Sequence, residues 1–222
     1  MSASSVEADL AEVLVRRIAV SPMDNNVYLL TATGTGAQVL IDAADDPFAI
    51  AGLIEEAKAD AAVPAHVDAI VTTHSHPDHI RALADLVGRT GAMTVAGAAD
   101  ASQIEAATGV TVARRVDDGD RVEVPGLSLD VISLRGHTAG SIALALTRPG
   151  FPAHLFTGDT LFPGGLGATN HDPARFNQLF TDVKQRLFDR FDDDAVVHPG
   201  HGRPTTLGVE RPSLRQWFAR GW

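Results

Sequence analysis

The run Thr73-His74-Ser75-His76-Pro77-Asp78-His79 places three imidazoles and one carboxylate within six positions, spaced His-x-His-x-Asp-His. Imidazoles at i and i+2 can aim at one metal ion, and the Asp-His pair that follows can aim at a second. Structural zinc sites usually recruit thiolates, and this chain has no cysteine. A ligand set of nitrogen and oxygen points instead to a catalytic centre. Three more candidate ligands occur downstream: His137 in Arg135-Gly136-His137-Thr138, Asp159 in Thr157-Gly158-Asp159-Thr160, and His201 in Pro199-Gly200-His201-Gly202. Each lies beside a glycine, which lets the backbone turn sharply or approach a neighbour closely. Taken singly, these three read as readily as caps or core residues. Taken as an ordered set, each supplies a missing coordination position, and seven ligands on four loops suit two ions.

The elements around these residues read as strands that end where the ligands begin. Val13 to Val20, Asn26 to Leu30 and Gln38 to Ile41 have strand character, the last ending at Asp42. Asp68 to Thr72 is a short buried strand whose C-terminal end carries the histidine run. Leu127 to Leu134 precedes His137, His154 to Thr157 precedes Asp159, and Val196 to His198 precedes His201. Arg121 to Val124 pairs with Leu127 to Leu134 across a Pro125-Gly126 turn. Met93 to Ala96 and Ser141 to Thr147 complete the strands. Helical spacing predicts Pro47 to Ala59, with Asp46 as N-cap and Pro47 at the first position. It also predicts Ile80 to Val87, Ala98 to Ala107, Pro173 to Phe191 capped by Asp172, and a closing helix at Pro212 to Arg220. Strands of mixed direction interleaved with helices describe one α/β domain over residues 1–222, with a short C-terminal tail (202–222) packed on it. Strand ends sharing one edge of a sheet make a common site.

Composition narrows the partners. The 222-residue chain has 18 Lys and Arg against 28 Asp and Glu, a formal net charge of -10. Such a surface repels phosphate backbones, and no Lys/Arg cluster offers a local exception, so nucleic acid is not an expected partner. The absence of cysteine excludes disulfides and catalytic thiols, and fits a cytoplasmic location. Met1 to Leu10 contains Glu7 and Asp9 without an apolar h-region, so no signal peptide is expected. No apolar run approaches the roughly 20 residues of a membrane span.

These residues together resemble the metallo-β-lactamase fold superfamily: His74, His76, Asp78, His79, His137, Asp159 and His201 follow in the family's order. Asn26-x-Tyr28-Leu29-Leu30 and Val39-Leu40-Ile41-Asp42 are similar to its N-terminal hairpin. Gly158-Asp159-Thr160-Leu161-Phe162 with a Gly-rich loop, and the ending Pro199-Gly200-His201-Gly202 followed by Thr205, Thr206, Gly208 and Glu210, look most like short bacterial glyoxalase II-like proteins. The resemblance implies a four-layer αββα sandwich of two mixed β-sheets. It implies two zinc ions, alternatively iron or manganese, about 3.5 Å apart as in other two-metal sites. His74, His76 and His137 would hold the first ion and Asp78, His79 and His201 the second. Asp159 would bridge them, a metal-bridging hydroxide would be the nucleophile, and Asp78 would also relay its proton. Asp42 resembles the family's buried carboxylate that orients a histidine ligand. Pro163 to Thr169 carries no basic residue, and Arg135 stands where Pro commonly precedes Gly-His-Thr. The implied substrate is therefore a small molecule, an acyl thioester of a small thiol, turned over by a monomer or homodimer.

Other readings stay open at this level. They are hydrolysis of a lactone or β-lactam, a mononuclear-iron persulfide dioxygenase using His74, His137 and Asp159, and a metal-binding domain without catalysis. His171 is a candidate pocket residue. His66, His154 and His198 read as structural, and Tyr28 as core. Phe176, Leu179, Phe180, Val183, Leu187 and Phe188 form a helical core stripe. Trp217, Phe218 and Trp222 are expected to pack the tail down.

Overall fold

The computed structural model describes residues 4–221. The N-terminal part builds a mixed seven-stranded sheet from β1 (Ser5–Asp9), β2 (Val13–Val20), β3 (Asn25–Ala32), β4 (Ala37–Ile41), β5 (His66–Thr72), β6 (Met93–Gly97) and β7 (Arg114–Val116), in that order across the sheet. Strands β1 to β4 pair antiparallel, and β4 to β7 pair parallel. Parallel neighbours need crossovers. These come from α1 (Pro47–Glu56), α2 (Leu83–Thr90) and α3 (Ala98–Thr108).

The second sheet begins with β8 (Arg121–Val124), β9 (Leu127–Ser133), β10 (Ile142–Leu146) and β11 (His154–Gly158). A two-stranded hairpin, β12 (Leu161–Phe162) with β13 (Gly165–Leu166), and helix α4 (Pro173–Val183) follow. Then β14 (Val196–Pro199) adds parallel to β11, and β15 (Thr205–Thr206) caps the sheet edge, giving six strands ordered β15-β14-β11-β10-β9-β8. Short helices α5 (Leu207–Glu210) and α6 (Leu214–Arg220) form the tail.

Three apolar clusters divide these elements into layers. One lies between the sheets and includes Val15, Leu30, Ile41 and Val71 from the first and Leu129, Val131, Leu144 and Phe156 from the second. Another packs Ile50, Leu53, Leu83, Leu86 and Ile104 of α1–α3 on the outer face of the first sheet. The third packs Leu179, Val183, Leu187, Phe188 and Trp217 on the second. The result is the expected four-layer αββα sandwich of two mixed sheets. No helix among the described residues is long and apolar enough to cross a membrane.

Several boundaries differ from the sequence reading. The helix expected from Ile80 starts only at Leu83, because the N–H groups of Arg81 and Ala82 are spent on the carbonyls of Ala44 and Ala43. Pro77–His79 forms a 3-10 turn ahead of it. The helix from Pro173 has its α-helical part end at Val183 and loosens into a π-helical turn over Lys184–Phe188. The helix from Pro47 passes into a 3-10 turn at Ala57, and the closing helix is α-helical only from Leu214. Strands β1, β7 and β15 were not expected; each is short, at or near a sheet edge, and weakly apolar. In the tail Trp217 is buried, but Phe218 is 55% exposed with its ring beside that of Phe180, and Trp222 lies outside the described residues.

Candidate metal centre

Strand direction decides which side chains meet. β4 and β5 run parallel, so Asp42 and the Thr73–His79 segment leave the first sheet at the same edge. In the second sheet β9 and β11 are each antiparallel to β10, and β14 is parallel to β11. His137, Asp159 and His201 therefore leave at one edge too. A backbone bridge between Asn25 and His201, and a bond from Ile142 N to Thr73 O at 2.9 Å, tie the two edges together.

The seven candidate ligands converge there. Their donor atoms group as His74/His76/His137, His74/His79/Asp159 and Asp78/His79/His201, each within 4.8 Å of one another. Nε2 of His74 lies 3.1 Å from Nδ1 of His76. Nε2 of His79 lies 3.3 Å from Nε2 of His201, and both face Asp78 Oδ2, at 3.6 and 3.2 Å. Asp159 lies between the groups, with Oδ1 3.4 Å from His79 Nε2 and Oδ2 3.3 Å from His201 Nε2 and 3.8 Å from His137 Nε2.

The outer nitrogens fix the tautomers. His137 Nδ1 donates to Ala168 O and His201 Nδ1 to Met23 O, both at 2.8 Å. His79 Nδ1 donates to Asp42 Oδ2 at 2.8 Å. The Thr73 hydroxyl donates to Asp42, so its oxygen accepts from His74 Nδ1 at 3.1 Å. Four Nε2 atoms therefore point inward, the arrangement that metal-ligating histidines adopt. His137 Nε2 and Asp159 Oδ1 are buried and hydrogen-bond nothing. Such orphaned acceptors are costly unless a cation answers them.

The charge balance makes the same demand. Burial holds His74 and His137 below the usual imidazole range, hence neutral. Burial would also lower His79, but Asp42 and Asp159 outweigh it and lift its pKa to about 10. The hydrogen bond to Asp159 raises His201. Burial opposes ionisation of Asp159, yet His201 and His79 hold it well below the usual carboxylate range. The cavity thus favours positive charge, and a divalent cation on these lone pairs competes with protons for the same place. The donor set of imidazole and carboxylate fits such an ion.

Asp42 is buried and accepts from Thr73 N, Thr73 Oγ1 and His79 Nδ1. His171 is exposed, with a left-handed backbone (φ 56°), and lines a cavity of about 270 Å³ with Leu166, Ala168, Thr169 and Asn170. Away from the centre, His66 pairs with Asp68 at the surface, and buried His154 and His198 share a 2.8 Å hydrogen bond. Tyr28 is buried and donates to Pro199 O.

Three supporting residues had no signal in the sequence. Buried Asn25 donates to Asp78 Oδ2 at 2.9 Å. Arg175 of α4 donates through Nε to Gly136 O at 2.8 Å and through Nη2 to His137 O. Asp100 of α3 accepts from backbone N–H groups on two of the ligand loops. Spacing reveals none of them, because they come from distant elements or act on backbone atoms.

Comparison with known proteins gives a consistent result. The model of the metallo-beta-lactamase superfamily matches residues 20–201. A hydroxyacylglutathione hydrolase of Anaeromyxobacter dehalogenans is 35% identical over 180 residues, covering 80% of this chain and 61% of that protein. Among solved structures, ETHE1 from Myxococcus xanthus superposes with a TM-score of 0.74 at 27% identity, over 92% of this chain and 84% of that one. TTHA1623 in a di-iron-bound form gives 0.69 at 29% identity, over 88% and 96%.

Proposed function

The chain belongs to the metallo-beta-lactamase superfamily, and from that premise we propose that it is a metal-dependent hydrolase of acyl thioesters of a small thiol. The observation that carries this reading is the pair of inward-facing donor groups with Asp159 between them. His74, His76 and His137 would hold one divalent ion, Asp78, His79 and His201 a second, and Asp159 both. Bound there, such ions supply a water acidic enough to attack a carbonyl near neutral pH, and positive charge to polarise that carbonyl.

The chain's own residues do the rest. Asn25 holds Asp78 Oδ2 toward the cavity, where it can take up the proton released on attack. The carbonyls of Met23 and Ala168 keep His201 and His137 from rotating. A thiolate has a conjugate-acid pKa of about 8.5, so it departs without a dedicated general acid. This suits a site whose buried histidines are committed as ligands. The thioester assignment draws on the relative named hydroxyacylglutathione hydrolase.

The test is zinc-loaded protein assayed against acyl thioesters of several small thiols. Turnover that is lost in His76→Ala and Asp78→Ala supports the reading. A single iron on the two-histidine, one-carboxylate set of His74, His137 and Asp159, with O₂ consumed on a persulfide, would replace it with a dioxygenase.

A further inference from the structure

The loops that carry His74, His76 and His137 belong to different sheets, so something must hold them in register. Asp100, in the first turn of α3, is 2% exposed. Its Oδ2 accepts from Ser75 N at 2.8 Å, between His74 and His76. Its Oδ1 accepts from Gly140 N at 2.7 Å, three residues beyond His137. The fit is close on both sides. A Cβ on Gly140 would collide with the backbone and side chain of Asp100, and one on Gly97, just before α3, would collide with Gly140 O. The turn from His137 to Ser141 is stiffened from within, since Thr138 N donates to Ser141 Oγ at 3.1 Å and the two hydroxyls lie 2.6 Å apart. Movement of Gly140 is therefore passed to His137. The His137 ring lies 4.5 Å from that of His76 and 4.9 Å from that of His74.

We propose that Asp100 is a positioning residue that ties the His74-Ser75-His76 loop to the His137 loop and so sets the geometry of one of the two donor groups. This rests on the metal-centre reading above. The physical argument is that a buried carboxylate must be satisfied. Here both of its oxygens are satisfied by backbone N–H groups of the two loops, so neither loop can shift without leaving a buried charge unpaired. Metal coordination tolerates only a few tenths of an ångström of ligand error, which makes the tie consequential for affinity. Asp100 touches no ligand side chain in these bonds and acts only through the two backbones.

Asp100→Asn keeps the shape but has one acceptor oxygen, so one of the two N–H groups would face an amide N–H₂. Zinc titrated against a chromophoric chelator should show one binding step weakened about tenfold to a hundredfold and the other unchanged, the scale seen when support behind ligands is lost. Hydrogen exchange at Ser75 and Gly140 should quicken. Ile104→Val, a buried substitution in the same helix, should lower stability and leave both zinc steps alone. Wild-type zinc affinity at both steps in Asp100→Asn would overturn the proposal. If the Asn variant does not fold, the wild-type chain decides. Ser75 and Gly140 amides protected like those of β5 support the tie, and freely exchanging amides overturn it. A wild-type chain that binds no zinc sinks the metal reading instead, and the same exchange measurement still judges the tie.

Discussion

Asp42→Asn should weaken metal binding and destabilise the metal-free protein with a distinctive pH dependence. Asp42 accepts three hydrogen bonds on two oxygens: Thr73 N at 2.7 Å, Thr73 Oγ1 at 2.8 Å and His79 Nδ1 at 2.8 Å. Asparagine tolerates the left-handed backbone found there (φ 60°), so conformation is not the issue. An amide offers one oxygen, and in either orientation at least one donor meets N–H₂. Losing a charge-assisted hydrogen bond costs about 1.5–3 kcal/mol. Asp42 is also the foremost group raising His79, whose pKa reaches about 10. A histidine raised in the folded state adds stability that is fully present below its unfolded value of ~6.5. That stability is lost as pH rises through about 10. The variant should therefore be most destabilised below pH ~6.5, and at high pH the difference should narrow to the cost of the lost hydrogen bonds. Urea unfolding of metal-free protein from acidic to alkaline pH measures this. Zinc affinity should fall about tenfold to a hundredfold. Equal destabilisation at every pH, or an unchanged zinc affinity, would refute the assignment of Asp42 as the support of His79.

Two further outcomes follow from other parts of the fold. Gly136 has φ 135°, and a Cβ there would collide with Arg175 O and Leu179. Gly136→Ala should cost about 1–3 kcal/mol in urea unfolding from backbone strain alone and lower zinc content by displacing His137. His198, lowered by burial to about 3, stays neutral in the folded metal-free chain while the unfolded chain takes a proton below ~6.5. Stability should then fall with pH between those values, by at most about 1.4 kcal/mol per pH unit for this group. His198→Gln should flatten the slope in metal-free urea titrations.

The candidate ligands stand out in the sequence because few residue types bind metals and the spacing His-x-His-x-Asp-His is rare. Some strands were readable too: β10, Ile-Ala-Leu-Ala-Leu, is a continuous apolar run, and β4, Ala-Gln-Val-Leu-Ile, is one but for Gln38. What could not be read depends on tertiary neighbours. The start of α2 moved because the Arg81 and Ala82 N–H groups found carbonyls on another loop. Strand β1, Ser-Val-Glu-Ala-Asp, lacks an apolar stripe and exists because β2 offers an open edge. Asn25, Asp100 and Arg175 are ordinary polar residues until the sheets close and bring backbone groups or Asp78 to them. Phe218 was expected to help pack the tail down, but beside Phe180 it stays largely in solvent while Trp217 alone of the two is buried.

The central claim is that seven side chains from four loops form one centre for two ions. Anomalous scattering at the zinc edge from crystals of the zinc-loaded protein tests it most directly. The account predicts two peaks: one within bonding distance of His74, His76 and His137, the other of Asp78, His79 and His201, with Asp159 reaching both. A single peak, or peaks that leave His201 or Asp78 without a metal, would contradict it.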